Sequence, residues 1–578
     1  MDINLEKRPK DVQVFPVADQ IKVLRSRTWD RLKFEIEYAL QKGTTANSYA
    51  IEADKIALID PPGESFTNIF IDALKDRIDP KKIDYIILGH INPNRAKTIE
   101  ILLQIAPQIT FVCSNPAAIS LRKLLPETEL KIKVIKSEET LDLGKGHKLE
   151  FILAPNPRYP DLLCTYDTKT EVLFTDKLFS AHICGDRVFD EGWQVDLEDR
   201  RYYFDCVIAP YARQITNDIE KIAAKTPKIY ATGHGPLIKY SVQELTHSYR
   251  EWLKKQNTQD LNVALIYASA YGNTTTIGEA IARGVTKSGV AVEIINAETA
   301  DPEDIKATVE KSAGIIIGSP TLGGHAPTQI QAALGIALAS ANKNKLAGVF
   351  GSYGWSGEAI DQLESKFRDA GYKFGFDTIR IKFKPTDSTL QTCEQAGTDF
   401  AQALKKSKKT RQAKESMVSA GVDRTSQALG RIVGSLCVVT AKKGEVSGAM
   451  LASWVSQATF NPPGLTVAVA KDRAIESLLH TGDKFVLNIL QEGNHIPLMK
   501  HFLKPFSPGE DRFVNVATEE SNSGSPILSD ALAYIECQVD NRMECGDHWL
   551  VYAVAEQGKL LQSEGLTSLH HRKSGSHY

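Results

Sequence analysis

No apolar run in this sequence approaches the roughly 18 residues a membrane-spanning helix needs; runs such as "AGIIIGSP" stop far short of it. A secretory signal is missing too. The N-terminus, "MDINLEKRPKDVQ", carries charges where a signal peptide has its apolar centre. Net charge is nearly absent: 69 Lys and Arg against 71 Asp and Glu leave −2, which excludes a global field for nucleic acid or a membrane surface. The eight cysteines (113, 164, 184, 206, 393, 437, 537, 545) include no C-x-x-C pair. In a chain this large they read as buried small hydrophobes rather than a disulfide framework. These absences point to a soluble, cytoplasmic protein with no integral membrane segment. The 578 residues predict three or four domains, and 42% hydrophobic with 24% charged residues is ordinary folded composition.

Three segments follow. In residues 1–255 short apolar runs end in Gly, Asn, Asp or Pro: "IALIDPPG", "YIILGHINPN", "FILAPNP", "VLFTD", "KIYATGHGP". They read as strands feeding exposed loops, with helices such as 66–77 and 96–106 between some of them. Residues 256–405 alternate strand and helix, the pattern of a doubly wound parallel sheet. Residues 425–578 are rich in β runs with glycine turns, the pattern of a small antiparallel barrel. Between them, 406–424 reads as a basic linker. Its core, "LKKSKKTRQAK", has six basic residues and no acidic one. It is either a solvated connector or a docking patch for an acidic redox partner.

The middle segment carries a phosphate-binding pattern that lacks lysine. In "YASAYGNTTTIGEAIARGV", Ser269, Tyr271, Gly272, Asn273 and Thr274 form a strand-to-helix turn. Backbone N–H groups at the helix start favour a bound phosphate. A turn of hydroxyls and amides suits the monoester phosphate of FMN. Two further loops fit the same crevice. One contains Pro320, Thr321, Leu322, Gly323 and Gly324; the other contains Ser352, Tyr353, Gly354, Trp355 and Gly357. Tyr353 and Trp355 could stack on an isoalloxazine ring between glycines that admit close backbone approach. The three loops, in this order, resemble flavodoxin. Gly323 and Gly324 stand where that family commonly has asparagine.

A metallo-β-lactamase-like domain ahead of a flavodoxin domain resembles the plan of the flavodiiron proteins. "GHINPNRAKTIE", "NPRYPDLLCTYD", "VLFTDKLFSAH" and "ATGHGPL" fall where that family places its metal-ligand motifs. The resemblance implies an αββα metallo-β-lactamase-like fold whose seven ligand positions are His90, Asn92, Asn94, Arg95, Arg158, Lys177 and His234. Only the two histidines match; Asp176 beside Lys177 leaves the register open by one residue. The family's three carboxylates bring negative charge to two metal ions, whereas Arg95, Arg158 and Lys177 bring three positive charges. A unit-charge pair ~4 Å apart interacts by ~4 kcal/mol at an effective dielectric near 20, so cations facing a divalent metal are prohibitive. Arginine cannot become a ligand by losing a proton. No di-iron centre is expected. The cations want a counter-charge, either an anion or a carboxylate such as Asp161 or Asp176.

The last segment resembles the flavin reductase family, a β split barrel, through "GAMLASWVSQATFNPP", "FVLNIL" and "CGDHWLVYAVAEQG". That implies FMN or FAD in the barrel and NAD(P)H as donor. The resemblance places Ser453, Trp454 and Asn461 along the flavin, with Lys471 and Arg473 near its phosphate. The three-part order is that of flavodiiron proteins of oxygenic phototrophs, which pass electrons to oxygen in photoprotection.

Three functions follow as alternatives. One is an oxidoreductase subunit passing electrons through FMN toward oxygen, as a homodimer or paired with a metal-competent flavodiiron chain. The second is a regulatory or assembly subunit with an anion-binding cationic pocket. The third is a stand-alone NAD(P)H flavin diaphorase.

Overall fold

Alternating apolar residues set the layers of the first segment. Leu24, Ala50, Leu58 and Ile86 are buried on one face of their strands; Val23, Ile51, Ile59 and Ile87 are buried on the other. A sheet covered on both faces must be sandwiched. The computed structural model describes residues 8–30, 42–136, 139–342, 344–416, 424–504, 506 and 509–572.

A seven-stranded sheet runs in chain order from Asp11–Ala18 through Thr44–Glu52, Ile56–Ile59 and Ile83–Ile87 to Lys131–Val134. A five-stranded sheet faces it, ordered Ile229–Thr232, Val172–Asp176, Leu163–Asp167, His147–Leu153, Thr140–Gly144. Ile51 and Ile87 of the first sheet share one core with Phe151 and Phe174 of the second. Phe70, Leu102 and Leu121, from three helices, cover the outer face of the first sheet. This is the αββα sandwich expected from the sequence. Ile56–Ile59 runs parallel to Ile83–Ile87, and Val172–Asp176 to Ile229–Thr232. The residues that follow these four strands, Asp60, His90, Lys177 and His234, therefore gather at one edge.

The chain divides into two compact units between Thr258 and Gln259, just past the helix Val242–Asn257. The second unit begins with a parallel sheet ordered Ala291–Asn296, Asn262–Tyr267, Gly314–Pro320, Leu346–Tyr353, Lys373–Phe374. Its helices include Asn273–Lys287, Pro302–Lys311, Thr328–Ser340 and Glu358–Asp369. Ala264, Ile266, Ile315 and Ile317 of the central strands are fully buried, as a doubly covered parallel sheet requires. An antiparallel seven-stranded sheet follows, curled around Val439, Val467, Leu487 and Val551.

The basic stretch read as a linker begins inside a helix, Asp387–Ser416. The helix extends because residues 404–416 contain no Gly or Pro and their Lys, Arg, Gln and Ala residues are good helix formers. Residues 417–423, the C-terminal part of the expected linker, lie outside the described residues. No disulfide joins any of the eight cysteines; five are buried, Cys184 and Cys206 are half-buried, and Cys545 is exposed. Among the described residues no helix is long and apolar enough to cross a membrane.

Candidate functional site

The strand Ile83–Ile87 leads to Gly89, and only glycine fits there. A Cβ at this position would lie 2.9 Å from an Asp60 carboxylate oxygen and 3.0 Å from the Asp176 Cβ. The loop can therefore pack directly on two buried carboxylates. His90 Nδ1 lies 2.7 Å from Asp161 Oδ1, and the Ile91 N–H donates to Asp161 Oδ2 at 2.9 Å. Arg95 donates to Asp60 Oδ1 at 2.7 Å and to the His90 carbonyl at 2.6 Å. Its other terminal nitrogen is 3.7 Å from Asp176.

Lys177 is 1% exposed, so its charge must be met inside the protein. Its Nζ lies 3.6 Å from Asp176 Oδ1 and 3.2 Å from His234 Nε2. His234 Nδ1 lies 2.6 Å from the Thr45 carbonyl oxygen. A carbonyl only accepts, so Nδ1 carries the hydrogen and Nε2 accepts from the lysine ammonium. The lone pair that would face a metal is thus taken by a cation.

Arg158 takes a different place from the one expected. Its Nε donates to the Tyr159 hydroxyl at 2.9 Å, and its guanidinium lies 5.5 Å from the centre of that ring. Lys177 Nζ is 5.9 Å from the same ring, and His90 meets it edge-on at 4.8 Å. Asp60, Asn92, Asn94, Arg95, Lys177 and His234 line a cavity of about 40 Å³, which Arg158 does not line. That is room for about one water-sized occupant. Asn92 Oδ1 faces no hydrogen-bond partner in the structure.

Arg95 and Lys177 are answered by Asp60 and Asp176, while Asp161 pairs with His90. Of the two counter-charges, Asp176 was expected in that role; Asp60 was not. Its signal was an aspartate ending the apolar run "IALID" ahead of two prolines, held here at a left-handed φ of 52°. Burial, with Asp176 nearby, pushes Asp60 up to about 6 despite the Arg95 contact. For Asp161 burial works the same way, but the hydrogen bond and charge of His90 outweigh it and hold the carboxyl below its ordinary range. A protonated-carboxyl C=O band should therefore grow in infrared spectra as pH falls through about 6. It should lose intensity in Asp60→Asn; an unchanged band would assign it elsewhere, Asp399 being a second carboxyl that burial raises to about 6.

Among the described residues, no three His, Cys, Asp or Glu side chains come together so as to hold a metal ion. The donor set explains this. Asp60 and Asp176 are close enough to serve a cation, but Arg95 and Lys177 already fill that place.

The middle-segment loops gather at the carboxyl ends of parallel strands. Gly272 starts the helix Asn273–Lys287 at φ 81° with no side-chain cap, which leaves the Asn273 and Thr274 N–H groups at the helix start for a ligand. Thr274 is buried and shares a 2.9 Å hydrogen bond with Ser352, which ties the turn to the third loop. Ser269 Oγ accepts from the Thr275 N–H at 3.4 Å. Thr321 N–H donates to the Ser352 carbonyl, following Pro320, and Leu322 bridges to His325 around Gly323 and Gly324, both at positive φ. Tyr353 is half-buried beside Gly357, and Gly354 faces Phe383. Tyr271 is 87% exposed and Trp355 93% exposed, unusual for aromatic side chains unless they meet a ligand or partner. The structure thus brings all three loops to one crevice.

In the barrel, Ser453 is 3% exposed and its Oγ has no partner. A buried hydroxyl in that state is poised for a ligand atom or water. Trp454 lies 5.1 Å from the His548 ring. Asn461 precedes a cis proline, and Arg473 is exposed. Lys471 pairs with Glu544 and lies 5.0 Å from the Trp549 ring.

Comparison with known proteins covers the whole chain. Residues 44–235 match the family model "ODP family beta lactamase", 265–397 match "Flavodoxin", and 429–576 match "Flavin reductase like domain". The chain is 67% identical to "Putative diflavin flavoprotein A 6" of Nostoc sp. over 99% of its own length and 100% of the relative's. It is 66% identical to "Putative diflavin flavoprotein A 3" of Synechocystis sp., over 98% and 96%. Among solved structures, "Metal soaked Flv1 flavodiiron core from Synechocystis sp. PCC6803" is 64% identical, with TM-score 0.67, covering 69% of this chain and all of that one.

Proposed function

The chain belongs to the flavodiiron family of diflavin flavoproteins, which are flavin-dependent oxidoreductases, and on that premise we propose that it is an electron-relay subunit without a di-iron centre of its own. It takes electrons from NAD(P)H and passes them toward oxygen in cytoplasmic photoprotective electron transfer. A metal-competent chain of the same family supplies the irons. The carrying observation is the ion network at the metal edge, where Arg95 and Lys177 are buried against Asp60 and Asp176. Metal ions would have to displace two cations already held in ion pairs, one of which, Arg95, cannot be neutralised.

FMN and a barrel flavin, when bound, supply reversible storage of electron pairs. The residues present fit both. Ser269, Gly272, Asn273 and Thr274 would hold the phosphate through hydroxyls and helix N–H groups. Leu322 to Gly324 would let backbone approach the ring, and Tyr353 and Trp355 would stack on it. In the barrel, Ser453 would bond the flavin edge, Trp454 would pack beside it, Asn461 and Pro462 would close that strand end, and Lys471 with Arg473 would meet the phosphate.

Metal and flavin analysis tests this reading. The chain purified alone should carry flavin and little iron, and should reduce oxygen to water poorly; co-expression with an intact family member should restore fast reduction. Near-stoichiometric iron with fast four-electron reduction by the chain alone would sink it. The anion-sensing alternative has less support, because Arg95 and Lys177 are compensated by carboxylates from the chain itself.

A further inference from the structure

At the far end of the helix from the FMN turn, and beside the candidate barrel site, five charged side chains are buried together where the parallel-sheet layer meets the barrel. Lys287 ends the helix that starts at the FMN turn. Its Nζ lies 2.5 Å from Glu394 of the long helix and 3.3 Å from Glu476 of the barrel, and all three are at most 4% exposed. Arg542 donates to the other Glu476 oxygen at 2.9 Å and lies 4.2 Å from the Trp549 ring. Arg283, 3% exposed, adds a further positive charge toward Glu476. Burial opposes the Glu476 charge, but Lys287, Arg542 and Arg283 hold its carboxyl far below the usual range. Gln391 donates to Ser477, and Gln402 donates to the Asp472 carbonyl at 2.6 Å. Breaking one partner of such a cluster leaves buried charge uncompensated, so it resists separation.

The position of this contact matters more than its strength. The helices Asn273–Lys287 and Asp387–Ser416 each follow a strand of the same parallel sheet, so they run side by side in the same direction. Gly284 packs on Glu394 and Thr398, and Gly397 packs on Ile281 and Val285, with no room for a Cβ at either glycine. Residue 273 therefore lies near the level of residue 387. Gln402, fifteen residues further along, is about 22 Å away down the helix axis at about 1.5 Å per residue. At that foot it holds Asp472, between Lys471 and Arg473. The other two FMN loops leave the same strand ends as the FMN turn, opposite the foot.

We propose that this ion cluster is a latch that holds the barrel at the foot of its own parallel-sheet layer, so that electrons entering at the barrel pass to the FMN site of a second copy of the chain. This rests on the assignment of both loop sets as flavin sites. The electron pair comes from the reduced nicotinamide, which is oxidised, and its departure from the barrel reduces the acceptor FMN by the same two electrons. Tunnelling falls exponentially with separation, so a gap set by a full helix length favours an acceptor brought by another chain.

Full-length variants test it. Lys471→Glu/Arg473→Glu disables the barrel site, and Thr274→Glu disables the FMN turn. Flavin content of each variant checks the site assignment separately; unchanged content would overturn that assignment and not the latch. The two variants, carrying different tags, are co-expressed, and the doubly tagged complex is isolated. Its FMN absorbance should bleach with NADPH or NADH at the wild-type rate, although neither variant alone does so. No doubly tagged complex, or no bleaching in it, would overturn the transfer between chains. Separately, Gln391→Cys/Ser477→Cys is treated with a short bis-maleimide linker. Cross-linking should be extensive and should leave bleaching unchanged. Failure to cross-link would overturn the docked arrangement, and loss of bleaching on cross-linking would show that the barrel must undock.

Discussion

Arg95→Met should destabilise the first unit by about 3–5 kcal/mol, the cost of breaking a buried ion pair from one side. Arg95 is 8% exposed at the side chain and Asp60 6%, so solvent screens the pair little. Removing the guanidinium leaves Asp60 and Asp176 facing each other with Lys177 alone to answer them. It also removes the donor to the His90 carbonyl, which orients the loop. Asp60→Asn in the same chain should recover part of the loss, because the acceptor then no longer carries charge. The two changes should be non-additive, as residues in contact are. In a chain of several domains a single unfolding midpoint is not a clean measure. Native-state hydrogen exchange of the Ile83–Ile87 amides reads the local opening free energy instead. Additive effects would mean that the pair is not a unit. The sign for pH is fixed by Asp60. Its carboxyl is raised from an ordinary value of 3.8 to about 6, so the folded state binds the extra proton in that window. Its contribution to stability falls as pH rises from about 4 through 6, and Asp60→Asn should flatten that slope.

The edge of the first unit was legible in part, and the reason lies in what is local. His90, Asn92, Asn94 and Arg95 share one strand-end loop, so their grouping follows from the sequence alone. Lys177 and His234 came from the order of motifs. Asp60 did not, because nothing in "IALIDPPG" says which of the neighbouring strand ends it will face; the parallel pairing of Ile56–Ile59 with Ile83–Ile87 decides that. Arg158 was placed with the other cations by motif position, yet the adjacent Tyr159 offers its guanidinium a hydroxyl and a ring. The alternation of strand and helix in the middle sheet was legible, since glycine and proline punctuate it and each helix spans one crossover. That the start of the basic stretch is helical was not legible, because charge without apolar periodicity looks like a connector, although none of residues 404–416 stops a helix. The cluster of Lys287, Glu394, Glu476 and Arg542 left no local trace at all. Its members come from four elements spread over 255 residues of sequence, from 287 to 542, and only packing unites them.

Thr274→Glu should abolish FMN binding in practice. The residue is 1% exposed, one position inside the helix that starts at Asn273, and its hydroxyl faces Ser352. A carboxylate there stands where the helix N-terminus would otherwise favour a phosphate. Two like charges ~4 Å apart repel by ~4 kcal/mol at an effective dielectric near 20, which is on the order of a 10³-fold loss of affinity. Thr274→Val separates charge from shape. It keeps the branched side chain and loses one hydrogen bond, so affinity should fall by only about fivefold, for a bond of about 1 kcal/mol. Fluorescence titration of the flavin-stripped chain with FMN measures both. Gly272→Ala adds a backbone test: open space surrounds the position, but its φ of 81° disfavours any side chain. Weakened FMN binding in Gly272→Ala with an intact fold would show that the turn's conformation, and not only its hydroxyls, forms the phosphate site. Equal affinity for Thr274→Glu and wild type would remove the phosphate from this turn. The exposed Tyr271 and Trp355 would then have to be explained by a protein partner alone.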